Sequence, residues 1–413
     1  MGRINKKIMY FLTRWYEGSA YKDYQLMKDN FGGTIVEDSH SILKEMKPDL
    51  IFCFGDVRKA YKKPLEANIP YILIEQDVYS LRCGLNETTY PHDKEKIENA
   101  MAVIFTSEEH AEYYEMLKKK YNWRIPHYEV IYTRPLRKDL TFEPREKLEG
   151  LHLVYAGGTV PSWNKRDNWW GYRCYHEIFK QFIRAGWKVH IYSVSNGRNL
   201  PEYQSIGCVI HEKIPYGALL QEMSQYTAGL HSYNKIGVPK IAFDYTQTCR
   251  PNKLWDYLAA GIPTIGYQGG NGMKIYNGKW GIVIDDLEPE TLNKIPERLD
   301  KIKISKRMRY SNVIDRDIEK FGKVIDVALK EAVKKDRKSF AIDKNPFMIA
   351  KSKNPFERVF PIMVTVENKT PYTIDRLNRA FLPYSTSEVF SVDKDDYRQI
   401  RAHVNLIVRE IGG

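Results

Sequence analysis

Arg250-Pro-Asn-Lys-Leu-Trp-Asp-Tyr-Leu-Ala-Ala-Gly-Ile-Pro-Thr264 reads as a helix, a stop and a strand. A helix is predicted over Lys253–Ala260; Gly261 ends it, because glycine takes the left-handed conformation that helix ends favour, and Pro263 opens a strand reaching Tyr267. An ordinary helix-to-strand turn accounts for the glycine and that proline. It does not account for a lysine, a carboxylate and a proline at these spacings.

Working outward, the segment lies in the second of two similar α/β stretches. Upstream, Leu151–Ala156 is an apolar run ending in Gly157-Gly158, Tyr175–Ala185 is helical in pattern, Trp187–Ser193 is a strand, Tyr216–Tyr226 is amphipathic and Ala228–Ser232 is a strand; Gly281–Ile284 follows downstream. The first stretch has the same texture: buried-strand candidates at Lys7–Thr13, Asp49–Phe54, Tyr71–Glu75, Ala102–Thr106 and His127–Tyr132, with helical segments between. Ser107 and Glu108-Glu109 read as an N-cap and acidic first turn. Strands separated by helices are the mark of parallel sheets covered on both faces. A composition break at Arg134–Gly150 separates the two stretches. The sequence therefore divides into an N-terminal lobe (1–145), a second lobe (146–285), a charged helical return segment and linker (286–344), and a proline-punctuated C-terminal region (345–413). Alternating segments at Ile362–Val366, Glu388–Val392 and Val404–Val408 predict that this last region is a small β-rich module.

The whole chain has 413 residues, beyond the roughly 100–200 at which one core usually stops growing. Hydrophobic residues make up 43% and charged residues 28%, which argues against both disorder and membrane spans. The N-terminus, with Arg3, Lys6 and Lys7 before a short apolar stretch, is expected to be neither signal peptide nor anchor. Five scattered cysteines suggest no zinc site or disulfide framework, and a cytoplasmic setting is expected. The formal net charge of +12 favours an anionic partner, and solvated helix faces explain it equally well.

The 250–264 segment resembles the C-terminal domain of GT-B glycosyltransferases, in particular the large retaining group called family 4, with its Pro-x-Lys-x-x-Glu-Tyr-x-Ala-x-Gly-x-Pro pattern. The resemblance implies two doubly wound Rossmann-like lobes, with Lys253 facing the donor diphosphate, Asp256 where the family's glutamate accepts hydrogen bonds from the ribose hydroxyls, and Arg250 and Asn252 as further donor-binding residues. Helix-start amides favour phosphate, and a carboxylate one turn later suits vicinal hydroxyls. The resemblance also implies that Gly157 and Gly158 form a phosphate-approaching loop, with Lys165 and Arg166 as basic partners; a plain turn is the alternative for the glycines. The family's other glutamate, eight residues before Asp256, is here Thr248, with Asp244 the nearest acid upstream.

Asp77, after the Tyr71–Glu75 strand, is either a general base for an inverting reaction or the cap of the next turn. Trp163, Trp169, Trp170 and Tyr172, beside Lys165, Arg166 and Arg173, either stack sugars or bases or pack a long loop. The expected activity is metal-independent transfer, without a cofactor, from a nucleoside diphosphate sugar to a hydroxyl. A surface polysaccharide or glycolipid is the favoured acceptor, a modified DNA base the alternative, and peripheral membrane contact is compatible with the charge. A nucleotide-sugar epimerase and a non-catalytic module binding glycan or nucleic acid are the rivals.

Overall fold

The computed structural model describes residues 7–12, 19–37, 43, 45–54, 60–160, 171–193 and 200–334, together with C-terminal strands at 362–368, 374–376, 379–381, 390–392 and 406–410. Contacts divide the chain into two units, residues 1–341 and 342–413.

The first unit holds two parallel sheets. One contains β1 (Ile8–Leu12), β2 (Thr34–Glu37), β3 (Leu50–Phe54), β4 (Tyr71–Glu75), β5 (Ala102–Phe105) and β6 (Tyr128–Val130), in the order β2-β1-β3-β4-β5-β6. The other contains β7 (His152–Ala156), β8 (Lys188–Tyr192), β9 (Val209–His211), β10 (Ala228–Ser232), β11 (Thr264–Tyr267) and β12 (Gly281–Val283), in the order β12-β11-β10-β7-β8-β9. Numbered within its own lobe, the second sheet runs 6-5-4-1-2-3, the doubly wound order whose direction reverses between its first and fourth strands. Two such lobes are the GT-B fold. Every residue of β3, β4, β5 and β10 is buried, which is why β3 and β5 read as unbroken apolar runs and β4 is apolar up to Glu75.

The return segment ends in the helix Ile318–Lys334, which goes back to the first lobe. Phe321, Val324, Ile325 and Ala328 join a core with Ile8, Phe52, Ile72 and Ile104. Ile314 N–H donates to the Pro135 carbonyl at 3.0 Å and Arg134 pairs with Asp317, so the forward and return crossings between the lobes are bonded to each other.

In the second unit, β13 (Ile362–Asn368) lies between β16 (Phe390–Val392) and β17 (Leu406–Glu410), antiparallel to both, and β14 (Ile374–Arg376) pairs with β15 (Arg379–Phe381). The module is β-rich, as the alternation predicts. Among the described residues no helix is long and apolar enough to cross a membrane.

Candidate active site

The reversal point of the second sheet lies between β7 and β10, so the chain leaving β7 at Gly157 and the chain leaving β10 at Tyr233 open a crevice there. The helix Lys253–Ala260 packs across β10 with its first turn at this crevice. Two contacts fix its height: the Tyr257 hydroxyl donates to the Leu230 carbonyl at 3.2 Å and accepts from Ala156 N–H at 3.3 Å. Gly229 gives the Tyr257 ring its space, since a Cβ there would collide with it. Gly261 closes the helix in the left-handed conformation, φ 76°.

Lys253 and Gly157 come together. A Cβ on Gly157 would stand 3.4 Å from Lys253 Nζ, which lies over the ring of Tyr155 at 4.0 Å from its centroid. Burial, with repulsion from Arg173, brings the ammonium down to about 7 against a weaker pull from Asp256. Gly158 turns its carbonyl inward, where it accepts from Tyr155 at 3.0 Å. His231, buried on β10, has its Nδ1 2.8 Å from the Tyr276 hydroxyl; burial and then Lys253 lower it to about 3, so it is neutral. Asp256 is one turn further along its helix and accepts from the Tyr216 hydroxyl.

Next to this crevice a polar cavity of about 220 Å³ spans the two lobes. The first lobe supplies Asp77 from the end of β4, Thr106 from the end of β5, His110 from the first turn of the following helix, Glu108–Tyr121, and Thr133. The second supplies Arg173, Tyr233, Tyr245, Cys249 and Asn252 among others. Asp77 accepts from the Tyr245 hydroxyl, and its other oxygen is 3.6 Å from Arg82 Nη1. Burial works against its charge, but Arg82 and the Tyr245 bond outweigh that and hold the carboxyl below its ordinary range. The short helix that follows, Tyr79–Cys83, has Val78 at its N-cap and no side-chain cap. Arg82 also donates to the Tyr172 hydroxyl at 3.1 Å, so Asp77 belongs to a bridge between the lobes.

Arg250, expected at the donor, lines the cavity and is engaged by the first lobe. It pairs with Glu108 and, at 2.8 Å, with Glu109, and donates to the Tyr132 hydroxyl. The acidic first turn read as a helix start thus also anchors a second bridge between the lobes. Asn252 begins its helix without a side-chain cap and faces the cavity. Lys165, Arg166 and the tryptophans 163, 169 and 170 lie outside the described residues.

At Thr248 no acid substitutes for the one missing. Its hydroxyl donates to the Tyr245 carbonyl at 2.8 Å, while Asp244 pairs with Lys240 on an exposed face. Sequence reading missed Arg82 and Tyr245 and gave Arg173 only a place in an aromatic loop. Arg82 and Tyr172 are 90 positions apart and meet only when the lobes do. Among the described residues no group of three or more His, Cys, Asp or Glu side chains is arranged to hold a metal ion.

No family model matches the sequence, and no curated protein matches it. The structure is similar to that of the pneumococcal O-GlcNAc transferase GtfA in complex with UDP and GlcNAc, with 13% identity and a TM-score of 0.48, covering 72% of this chain and 60% of that one. It is similar to sucrose-phosphate synthase from Thermosynechococcus elongatus, with 11% identity and a TM-score of 0.47 over 79% and 97% of the two chains. It is similar also to Staphylococcus aureus MnaA bound to UDP, with 11% identity and a TM-score of 0.49 over 80% and 99%. The chain spans 60% of the length of the first of these.

Proposed function

We propose that this protein transfers a sugar from a nucleoside diphosphate sugar to a hydroxyl acceptor. The observation that carries the reading is Lys253 at the start of its helix, beside Gly157 and electrostatically close to Arg173, at the reversal point of a doubly wound sheet. Two neighbouring cations, a glycine backbone and helix-start amides make a place for a diphosphate. Asp256, held by Tyr216, then accepts from the ribose, and the sugar extends into the cavity towards Asp77.

In an inverting course, the acceptor oxygen bonds to the anomeric carbon as the bond from that carbon to the phosphate oxygen breaks. The electron pair leaves with the diphosphate, and the acceptor's proton passes to Asp77. The acceptor hydroxyl takes the place of Tyr245 at the carboxylate, which returns basicity to it. Lys253 and Arg173 meet the charge that develops on the leaving group. The basic composition fits an acceptor at an anionic surface, a polysaccharide or glycolipid at the cytoplasmic face of a membrane, with a modified DNA base as the alternative.

Melting temperatures with a panel of uridine and guanosine diphosphate sugars test the donor. Saturation at 100 times the dissociation constant adds about 2.7 kcal/mol of stability, and Asp256→Ala should abolish the rise while leaving the fold intact. A variant that binds as well as the parent overturns the donor-site assignment. Product analysis without acceptor separates transfer from epimerisation: a sugar whose configuration changes while it stays on the nucleotide would identify an epimerase.

A further inference from the structure

Lys253 is a half-buried cation that, among the described residues, makes no ion pair and donates no hydrogen bond. Its Nζ rests on the faces of Tyr155, at 4.0 Å, and Tyr175, at 5.9 Å. The charged and titratable groups that face it come from each element around it. Arg173, just before the helix His176–Arg184, repels it, and Asp256 on its own helix attracts it. His231 on β10 is neutral, and burial keeps both phenols protonated. Tyrosine faces and one carboxylate a turn away are the attractive terms; desolvation and a second cation oppose them.

We infer that donor binding at this crevice takes up a proton, gained by the unpaired Lys253 amine on its two tyrosine faces as a diphosphate lies against it. The inference rests on the nucleotide-sugar reading of the site. It goes beyond that reading because a diphosphate site built on an arginine, or on a lysine paired in advance, would bind without proton exchange.

The size follows from linkage. With the free ammonium titrating at about 7, and the bound one returned to the ordinary lysine range by two phosphate charges, binding at pH 7.5 should take up roughly three-quarters of a proton. Affinity should then weaken about 15-fold between pH 7 and pH 8.5. The diphosphate of a nucleotide sugar has no group of its own titrating in this window, so the proton belongs to the protein.

Calorimetric titration of the full chain with UDP-glucose and with GDP-mannose at pH 7.5, in buffers of low and high ionisation enthalpy, measures the proton directly. The slope of apparent enthalpy against buffer ionisation enthalpy should be near three-quarters for the wild type. It should be near zero for Lys253→Arg, which is charged at every pH used. A wild-type slope near zero overturns the inference and leaves the donor site standing; a slope that persists in Lys253→Arg assigns the proton to another group and also overturns it. If the arginine cannot bind, the wild-type pH dependence decides: an affinity flat from pH 7 to 8.5 refutes the coupling. Failure of both nucleotide sugars to bind overturns the site reading itself, and the inference with it.

Discussion

Lys96→Met should destabilise the first lobe severely, and more so at alkaline pH. Lys96 is fully buried, with Nζ 2.5 Å from Glu75 Oε1 and 2.8 Å from Asp93 Oδ1, both carboxylates being equally buried. Asp93 also accepts from Ser80 N–H at 2.7 Å, and Tyr114 donates to Glu75 at 3.3 Å. Removing the cation leaves Asp93 in the core without its counter-charge, joined by Glu75 as the pH rises past about 8, a change that costs about 3–5 kcal/mol in buried ion pairs. At roughly 2–4 °C per kcal/mol for a domain of this size, the melting temperature should fall by about 10 °C.

The pH dependence has a defined sign. Burial outweighs the attraction of Lys96 and pushes Glu75 up to about 8, whereas an unfolded glutamate titrates near about 4.3. A raised native value means that stability from this group is fully present below the unfolded value and is lost as pH rises through the native one. Without Lys96 the native value rises further and the loss continues above pH 8. Thermal melts at pH 6 and pH 8.5 should therefore show the larger deficit at 8.5, and adding Glu75→Gln to Lys96→Met should recover part of it. A deficit below about 1 kcal/mol, or one equal at both pH values, refutes the account of a buried charge cluster.

Lys253→Ala should weaken nucleoside diphosphates far more than the bare nucleoside in equilibrium binding, because the lost contact is charge-assisted; equal losses would move the lysine away from the phosphates. Asp77→Asn keeps the size of the side chain but removes its basicity, so it should lower turnover at least tenfold at unchanged donor affinity, and unchanged turnover would return Asp77 to a purely bridging role. Truncation after Phe340 should leave a soluble fragment that still binds nucleotide sugar, since the two contact units divide at 341/342. Aggregation or loss of binding would show that the C-terminal module covers part of the lobes.

Both sheets were legible because their central strands are buried on both faces and are built mostly of apolar residues, with polar ones such as Glu75, His231 and Ser232 at their carboxyl ends. The strands that sequence reading passed over, β2 and β9, are at sheet edges and only four and three residues long; β9 has Val209 exposed. The helix Lys240–Thr248 was also missed. It follows Pro239 without a side-chain cap and contains β-branched and aromatic residues, so local propensity gives little sign of it. Its consequence for the site is large, because it brings Tyr245 to Asp77. The motif at 250–264 located the crevice through residues close in sequence, Lys253 and Asp256. It could not show that Arg250 faces Glu108 and Glu109, since that pairing depends on how two separately folded lobes meet.

The same limit bears on the missing acid. With Thr248 bonded back to its own helix and Asp244 turned to Lys240 at the surface, Asp77 is the carboxylate among the residues lining the cavity. It is engaged by a tyrosine of the opposite lobe and an arginine of its own, which keep it charged and weaken it as a base. A reaction that needs proton acceptance there must first displace Tyr245. In this structure, then, one of the bridges between the lobes and the carboxylate proposed to take the proton share one group, and acceptor binding and the loosening of that bridge would be a single event.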